Sequence, residues 1–200
     1  MIKIYCAGPL FNGKEKEEMQ EIADNLEQSG FVVFLPHRDG FEFAGLSQTF
    51  SELGVPLTEA NALLNKAIFT LDVFQVLDSD GLVLNVNGRV PDEGAMVEAG
   101  VAWSAGKKVV IYKNDARTLI NGSDNPLLLG LADFRIVDNI SSIAPIFREL
   151  LPEVSNNAKP VLDDSRVRDL YDKGSRIFSI AGNACEKKEI CHKIMEILGA

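Results

Sequence analysis

Residues 81–86, Gly-Leu-Val-Leu-Asn-Val, form an apolar run that reads as a buried strand. Four residues after it comes Pro91-Asp92-Glu93-Gly94-Ala95-Met96-Val97-Glu98-Ala99-Gly100, which opens a helix of small residues that ends near Ala105-Gly106. A buried strand feeding a helix confines the chain to architectures in which helices cover a sheet. The alternation recurs elsewhere. Residues 2–7 read as a strand ending at Gly8-Pro9. Residues 14–29 read as a helix with Met19, Ile22, Ala23 and Leu26 on one side, and Gly30 stops it. Residues 31–35 make a second strand closed by Pro36, and 58–78 a long helix capped by Thr58 or Pro56. A fourth strand is expected at 108–112, a fifth at 134–137 and a closing helix at 142–150. Residues 37–56 read as an irregular loop rich in Gly, Ser and Phe, long enough to act as a lid, and 114–131 as mostly loop with a turn at 122–126.

This order predicts an α/β fold: a parallel sheet of about five strands with helices on both faces, and a site beyond the carboxyl ends of the strands. The α/β domain is expected to span residues 1–152. A linker rich in Asn and Pro around 152–164 then leads into a C-terminal helical extension, 153–200 overall, whose two helices join near Gly182-Asn183 and carry a solvated basic face. Trp103 and Phe69 read as core residues.

Composition narrows the partners. With 46% apolar residues the 200-residue chain can build a substantial core, and its net charge of −9 argues against a nucleic-acid surface. No apolar run approaches the ~20 residues of a membrane span, and the chain opens on a strand with no signal peptide, so a cytoplasmic location is expected. Cys6, Cys185 and Cys191 are odd in number and lack C-x-x-C spacing, which fits free thiols in a reducing compartment. His37 and His192 stand apart and no metal-ligand cluster is visible. Gly8-Pro9-Leu10-Phe11-Asn12 lacks the G-x-G-x-x-G spacing of a dinucleotide site, so no cofactor is expected; the glycine reads as room for a ligand to approach the backbone.

One carboxylate draws attention. Glu98 shares a helix face with Ala95, Ala102 and Ala105, three, four and seven residues away. An acid set among alanines does not belong to a solvated ion-pair stripe. It suits a cavity that the alanines keep open, and near a helix N-terminus the amide dipoles favour its ionised form, so Glu98 reads as a candidate nucleophile. Asp92 is balanced between an N-cap and a share in the chemistry with Glu93. Asp72 lies on the long helix one heptad after Asn65, between apolar neighbours, and taken alone reads as an exposed-face residue. Asp78 and Asp80 read as turn residues. Tyr5, at the end of the first strand, reads as a core aromatic whose hydroxyl has room to reach a site.

Taken together, Tyr5-Cys6-Ala7-Gly8-Pro9-Leu10-Phe11, the helix bearing Asp72, Asp80-Gly81-Leu82-Val83-Leu84 and the run from Pro91 to Gly100 resemble the nucleoside 2-deoxyribosyltransferases over roughly the first three quarters of the chain. The resemblance implies a flavodoxin-like, Rossmann-like sheet and transfer of a 2-deoxyribosyl group between nucleobases through a covalent deoxyribosyl-glutamate intermediate, in nucleotide salvage. It implies that Glu98 is the nucleophile and that Tyr5 positions it. Asp92 and Asp72 would bind or protonate the base on its two edges. Asn125 would take the sugar 5′-hydroxyl, a role often filled by a neighbouring subunit. Gly8, Pro9, Leu10, Phe11 and Met96 are the expected substrate contacts. The implied partners are nucleosides, free nucleobases and further copies of the chain, in a homo-oligomer with sites near the subunit interface.

Two rivals stand beside this reading. A hydrolase of nucleoside 5′-monophosphates in the same superfamily would be expected to place serines around the phosphate. Pro9-Leu10-Phe11 and Asn87-Gly88-Arg89-Val90 occupy those positions here, with Arg89 the one group able to meet a phosphate. A non-catalytic nucleotide-sensing module would use the same pocket without chemistry.

Overall fold

A computed structural model describes residues 1–40, 43–88, 92–115, 123–152, 162–181 and 186–199. Their segments cluster into two compact units: residues 1–39 with 76–160, and 40–75 with 161–200.

The first unit is built on a parallel sheet. Its strands are β1 (Lys3–Ala7), β2 (Val32–Phe34), β3 (Gly81–Asn85), β4 (Lys108–Tyr112) and β5 (Ile136–Val137), in the order β2-β1-β3-β4-β5. This is the flavodoxin-like order. From β1 the chain winds outward to β2, then returns past β1 to lay down β3 on its other side. The topological switch point therefore falls between β1 and β3, where ligands bind in open α/β sheets. Central β3 is buried at all five positions, which explains why its sequence is an uninterrupted apolar run.

Each face of the sheet has its own core. Helix α1 (Gly13–Gln28) buries Met19, Ile22, Ala23 and Leu26, as its spacing predicts, against Ile4, Cys6, Val83 and Val110. At ~1.5–3 kcal/mol for each large apolar side chain, this layer is a main source of stability. Asn12 caps α1 by accepting from the Glu15 N–H at 3.1 Å, and Glu15 accepts from the Phe11 N–H at 2.8 Å. The opposite face is covered by the helix that carries Glu98, α5 (Glu93–Ser104). Its Ala95, Ala99 and Ala102 pack on Tyr5, Leu82, Leu84 and Ile111.

Lys3 holds the turn before β3: its backbone N–H donates to Asp80 Oδ2 at 2.8 Å and its ammonium pairs with Asp78 at 2.7 Å. Both aspartates have the structural role their turn position suggests.

In the second unit residues 37–56 are not the irregular loop that their Gly, Ser and Phe content suggests. A short helix, α2 (Pro36–Asp39), closes the first unit's segment, a 3₁₀ turn spans Phe43–Gly45, and α3 (Leu46–Glu52) follows. Phe43, Leu46 and Phe50 are buried, so the phenylalanines that look anomalous in a loop are core residues. The long helix α4 (Leu57–Asp78) runs from this unit into the first.

A short helix, α6 (Pro126–Gly130), also interrupts the stretch expected to be loop before β5, and α7 (Ile143–Leu150) closes the sheet domain. The C-terminal helices are α8 (Ser165–Ala181) and α9 (Lys187–Leu198). The expected linker and the Gly182-Asn183 junction lie largely outside the described residues, as does Cys185.

Two core assignments fail. Trp103 is 57% exposed and Phe69 53% exposed. Helix α5 buries Ala95, Ala99 and Ala102, and Trp103 stands off that stripe. On α4 the buried positions include Leu63, Leu64, Ala67 and Leu71, which leaves Phe69 on the other side.

Candidate active site

The site assembles at the switch point from β1 and from α5 (Glu93–Ser104). Asp92 caps α5: its Oδ1 accepts from the Gly94 N–H at 2.8 Å and the Ala95 N–H at 3.2 Å. The N-cap alternative is thus realised, and because both cap bonds fall on Oδ1, Oδ2 is the oxygen that can address a ligand. Glu93, in the first turn, is exposed.

Glu98 lies in the second turn of α5, half-buried. Of its expected alanine neighbours Ala95 and Ala102 are buried, whereas Ala105 at the helix end is exposed. The field of a helix terminus fades within the first turn, so the dipole is not the main group acting on this carboxylate. Tyr5 is. Its hydroxyl donates to Glu98 Oε1 at 2.6 Å across 93 residues of sequence. Tyr5 is fully buried, and its ring stacks on Phe34 with centroids 5.6 Å apart and planes at 24°. A rigid phenol therefore fixes one oxygen of Glu98 and orients the carboxylate.

The turn after β1 divides its roles. Gly8 is buried, and a Cβ there would sit 2.6 Å from Met19 Sδ and 2.9 Å from Asn85 Cβ. This internal close approach requires the glycine. Pro9 is buried and Leu10 packs on the α1 face. Phe11 is 77% exposed. Met96 is half-buried against the α5 core.

Asn125 caps α6, accepting from the Leu127 N–H at 3.0 Å, and its residue is exposed. Its neighbour Asp124 pairs with the buried Lys113 at 2.6 Å. Arg89 lies outside the described residues.

Asp72 belongs to the second unit, on α4. Burial raises its carboxyl to about 6, which makes it a proton donor and acceptor close to neutral pH. The structure thus gathers Tyr5, Asp92 and Glu98 in the first unit, and gives Asp72 an environment its exposed-face reading does not anticipate. Cys6 is no rival nucleophile, since complete burial drives its thiol far above the usual range.

A polar cluster that the sequence reading passed over sits on the other face of the sheet. Glu18 of α1 accepts from Asn85 Nδ2 at 2.9 Å and from Asn87 Nδ2 at 2.8 Å. The Asn87 N–H donates to Asn85 Oδ1 at 2.9 Å, and Asn87 Oδ1 accepts from the Asn114 N–H at 2.7 Å. Burial first, and then the Glu18 carboxylate, raise the phenol of Tyr112. The signal was available: Asn85 interrupts an apolar strand, and a fully buried amide must find partners.

A cavity of about 290 Å³ lined by Trp103, Lys107, Lys108 and Arg135 opens by the amino-terminal end of β4, away from these groups. Among the described residues no helix is long and apolar enough to cross a membrane.

Among solved structures, a conserved protein from Enterococcus faecalis V583 is similar, at 21% identity over 76% of this chain and 99% of that one, with a TM-score of 0.54. A 2-deoxyribosyltransferase from Bacillus psychrosaccharolyticus is 19% identical over 80% of this chain and 99% of its own, also with a TM-score of 0.54. A 2-deoxyribosyltransferase from Leishmania mexicana aligns at 16% identity over 74% and 98%, with a TM-score of 0.46. No curated protein matches. At these identities the two likenesses with a TM-score of 0.54 speak for the fold alone. The family model for nucleoside 2-deoxyribosyltransferases matches residues 4–169, well over half of the chain, and takes in β1 through the start of α8 with every site residue above. The chain therefore belongs to the nucleoside 2-deoxyribosyltransferase family, whose enzymes transfer a glycosyl group or break an N-glycosidic bond.

Proposed function

We propose that the protein transfers a 2-deoxyribosyl group between nucleobases, with retention, through a covalent ester on Glu98. The observation that carries this reading is the 2.6 Å hydrogen bond from the Tyr5 hydroxyl to Glu98 Oε1. A buried phenol that pins one oxygen of a carboxylate on a small-residue helix supplies what a covalent glycosyl acceptor needs, a fixed and partly desolvated nucleophile.

In the first half-reaction a carboxylate oxygen of Glu98 attacks C1′ of the bound nucleoside. The C1′–N bond breaks through an oxocarbenium-like state, and its electron pair leaves with the base. The base takes up a proton as it departs, because its anion is a poor leaving group. Asp72 suits this transfer, since a carboxyl raised to about 6 still holds a proton in an appreciable fraction of molecules near neutral pH. Asp92, with Oδ1 engaged by the cap, offers Oδ2 to a donor on the base. In the second half-reaction an acceptor base attacks C1′ from the face the first base left. Its proton returns to the carboxylate that gave one up, and the C1′–O bond to Glu98 breaks. Two inversions give net retention. Phe11, exposed beyond β1, offers an aromatic face to a base, and Leu10 and Met96 line the approach. Asn125 is assigned to the sugar 5′-hydroxyl through its amide Nδ2, since its Oδ1 caps α6. Homo-oligomerisation and a cytoplasmic place in nucleotide salvage complete the proposal.

The test is intact mass spectrometry after brief exposure to deoxyinosine, followed by peptide mapping. A deoxyribosyl adduct on Glu98 that disappears when adenine is added, with deoxyadenosine formed, is the expected result. Release of free base from a deoxynucleoside monophosphate, with no adduct and no exchange, would instead identify a hydrolase. Binding without release of base would identify a sensor.

A further inference from the structure

Asn87 stands where the chain leaves β3 on its way to Asp92 and Glu98. Its N–H, Nδ2 and Oδ1 are each engaged, and each partner comes from a different place in the fold. Its N–H meets Asn85 Oδ1 at the end of β3, and its Nδ2 meets Glu18 Oε1 on α1. Its Oδ1 accepts the Asn114 N–H beyond β4. The next residue repeats the tie to β4, since the Gly88 N–H donates to Asp115 Oδ2 at 3.2 Å. Glu18 closes the arrangement from the other side, one oxygen on each asparagine amide. Asn85 is fully buried, so its amide lies in a medium where an unmatched donor is costly.

We infer that Asn87 and Glu18 form a latch that fixes the start of the β3-to-α5 connection and so positions Asp92 and Glu98 for the reaction proposed above. The inference rests on that reading for its catalytic consequence, while the latch itself is open to measurement without turnover. Neither residue touches the reacting atoms; both are positioning residues. The donor and acceptor pattern permits a reciprocal exchange. Asn87→Asp turns the amide that faces Glu18 into a second carboxylate oxygen, setting charge against charge. Adding Glu18→Gln puts an amide donor back between the same two positions, while the remaining oxygen of that side chain still accepts from Asn85 Nδ2.

The experiment follows amide hydrogen exchange and base-exchange kinetics in the full chain. In Asn87→Asp, exchange at Asn114, Gly94 and Ala95 is expected to speed up about tenfold as the latch and then the Asp92 cap loosen. The kcat of base exchange is expected to fall about tenfold with KM within threefold, because misplaced Asp92 and Glu98 cost the transition state more than they cost binding. In the double variant both readouts return to within about threefold of the parent. If Asn87→Asp does not fold, Glu18→Gln alone decides: it sets one amide against another without adding charge, and a threefold fall in kcat at constant KM is expected. The inference is overturned if exchange at Gly94 and Ala95 and kcat stay at parental values in the folded single variant, or if the double variant recovers neither. A parent enzyme that neither exchanges nor releases bases would defeat the proposed function, and the amide exchange at Gly94 and Ala95 would still decide the latch.

Discussion

Two tyrosine–glutamate pairs lie on opposite faces of one sheet. On the α5 face the Tyr5 hydroxyl donates to Glu98 at 2.6 Å. On the α1 face the Tyr112 phenol lies beside Glu18, which raises it, and the two oxygens of Glu18 accept from the Asn85 and Asn87 amides. The ingredients are the same and the surroundings are not. Glu18 accepts an amide donor on each oxygen, which suits a carboxylate that holds strands and loops together. Glu98 is set among alanines, with one oxygen anchored by a buried ring stacked on Phe34. A carboxylate with an amide donor on each oxygen is a poor nucleophile. One oriented by a buried phenol beside small side chains can move charge onto a sugar. What separates reactive from structural acids here is the second set of neighbours, not the tyrosine.

The comparison breaks most sharply at Glu98. Glu98→Gln keeps the volume and removes the nucleophile, so base exchange is expected to fall by about 10³-fold or more while the melting temperature moves by only a few degrees. A variant that retains a tenth of parental turnover would remove Glu98 from its proposed role. The mirror substitution, Glu18→Ala, strips an acceptor from two amides at once. It is expected to cost about 2–4 kcal/mol in urea unfolding, since each stranded buried donor costs roughly 1–3 kcal/mol.

The tyrosines sharpen the same contrast at lower amplitude. Tyr5→Phe preserves the stack on Phe34 and deletes the bond to Glu98. A 10- to 100-fold loss in kcat is expected (about 1.4–2.7 kcal/mol of transition-state stabilisation), with little change in the melting temperature. Tyr112→Phe should do the reverse: about 1 kcal/mol of lost stability and kcat within threefold. Equal kinetic effects from the two substitutions would mean that the two faces of the sheet do not divide structure from chemistry as described.

The difference between the faces also shows which parts of this molecule could be read from residues alone. The sheet was legible because burial on both sides leaves apolar runs at 81–86 and 108–112, and α1 because Met19, Ile22, Ala23 and Leu26 fall at helical spacing. Glu98 was legible because an acid among alanines violates the usual helix pattern, and the resemblance to the deoxyribosyltransferases rests on that same run. The Glu18 latch was not legible, although Asn85 inside an apolar strand was a warning, because its partners come from α1 and the exit of β4 and no local pattern ties them together. Residues 37–56 misled for a related reason. Phe43, Leu46 and Phe50 become core only through packing within the second unit, where α3 contacts α9, and short helices leave little periodicity to detect. Trp103 shows the converse error: size and apolarity do not fix which side of a helix faces inward.

Asp72 offers a third acid against which both pairs can be measured, through pH rather than rate. Burial raises its carboxyl from 3.8 to about 6. A raised carboxyl binds more protons in the folded than in the unfolded chain between those values, so its contribution to stability falls as pH rises through that window. Asp72→Asn removes the ionisation and is expected to stabilise the protein at pH 8 by about 1–2 kcal/mol, a value discounted from the full shift for residual solvent contact, with the gain vanishing near pH 4. Urea unfolding of both proteins at pH 4, 6 and 8 measures it. A gain that is constant across pH would mean the amide helps through packing alone, and that the carboxyl at position 72 is not the burdened acid from which a leaving base could draw its proton.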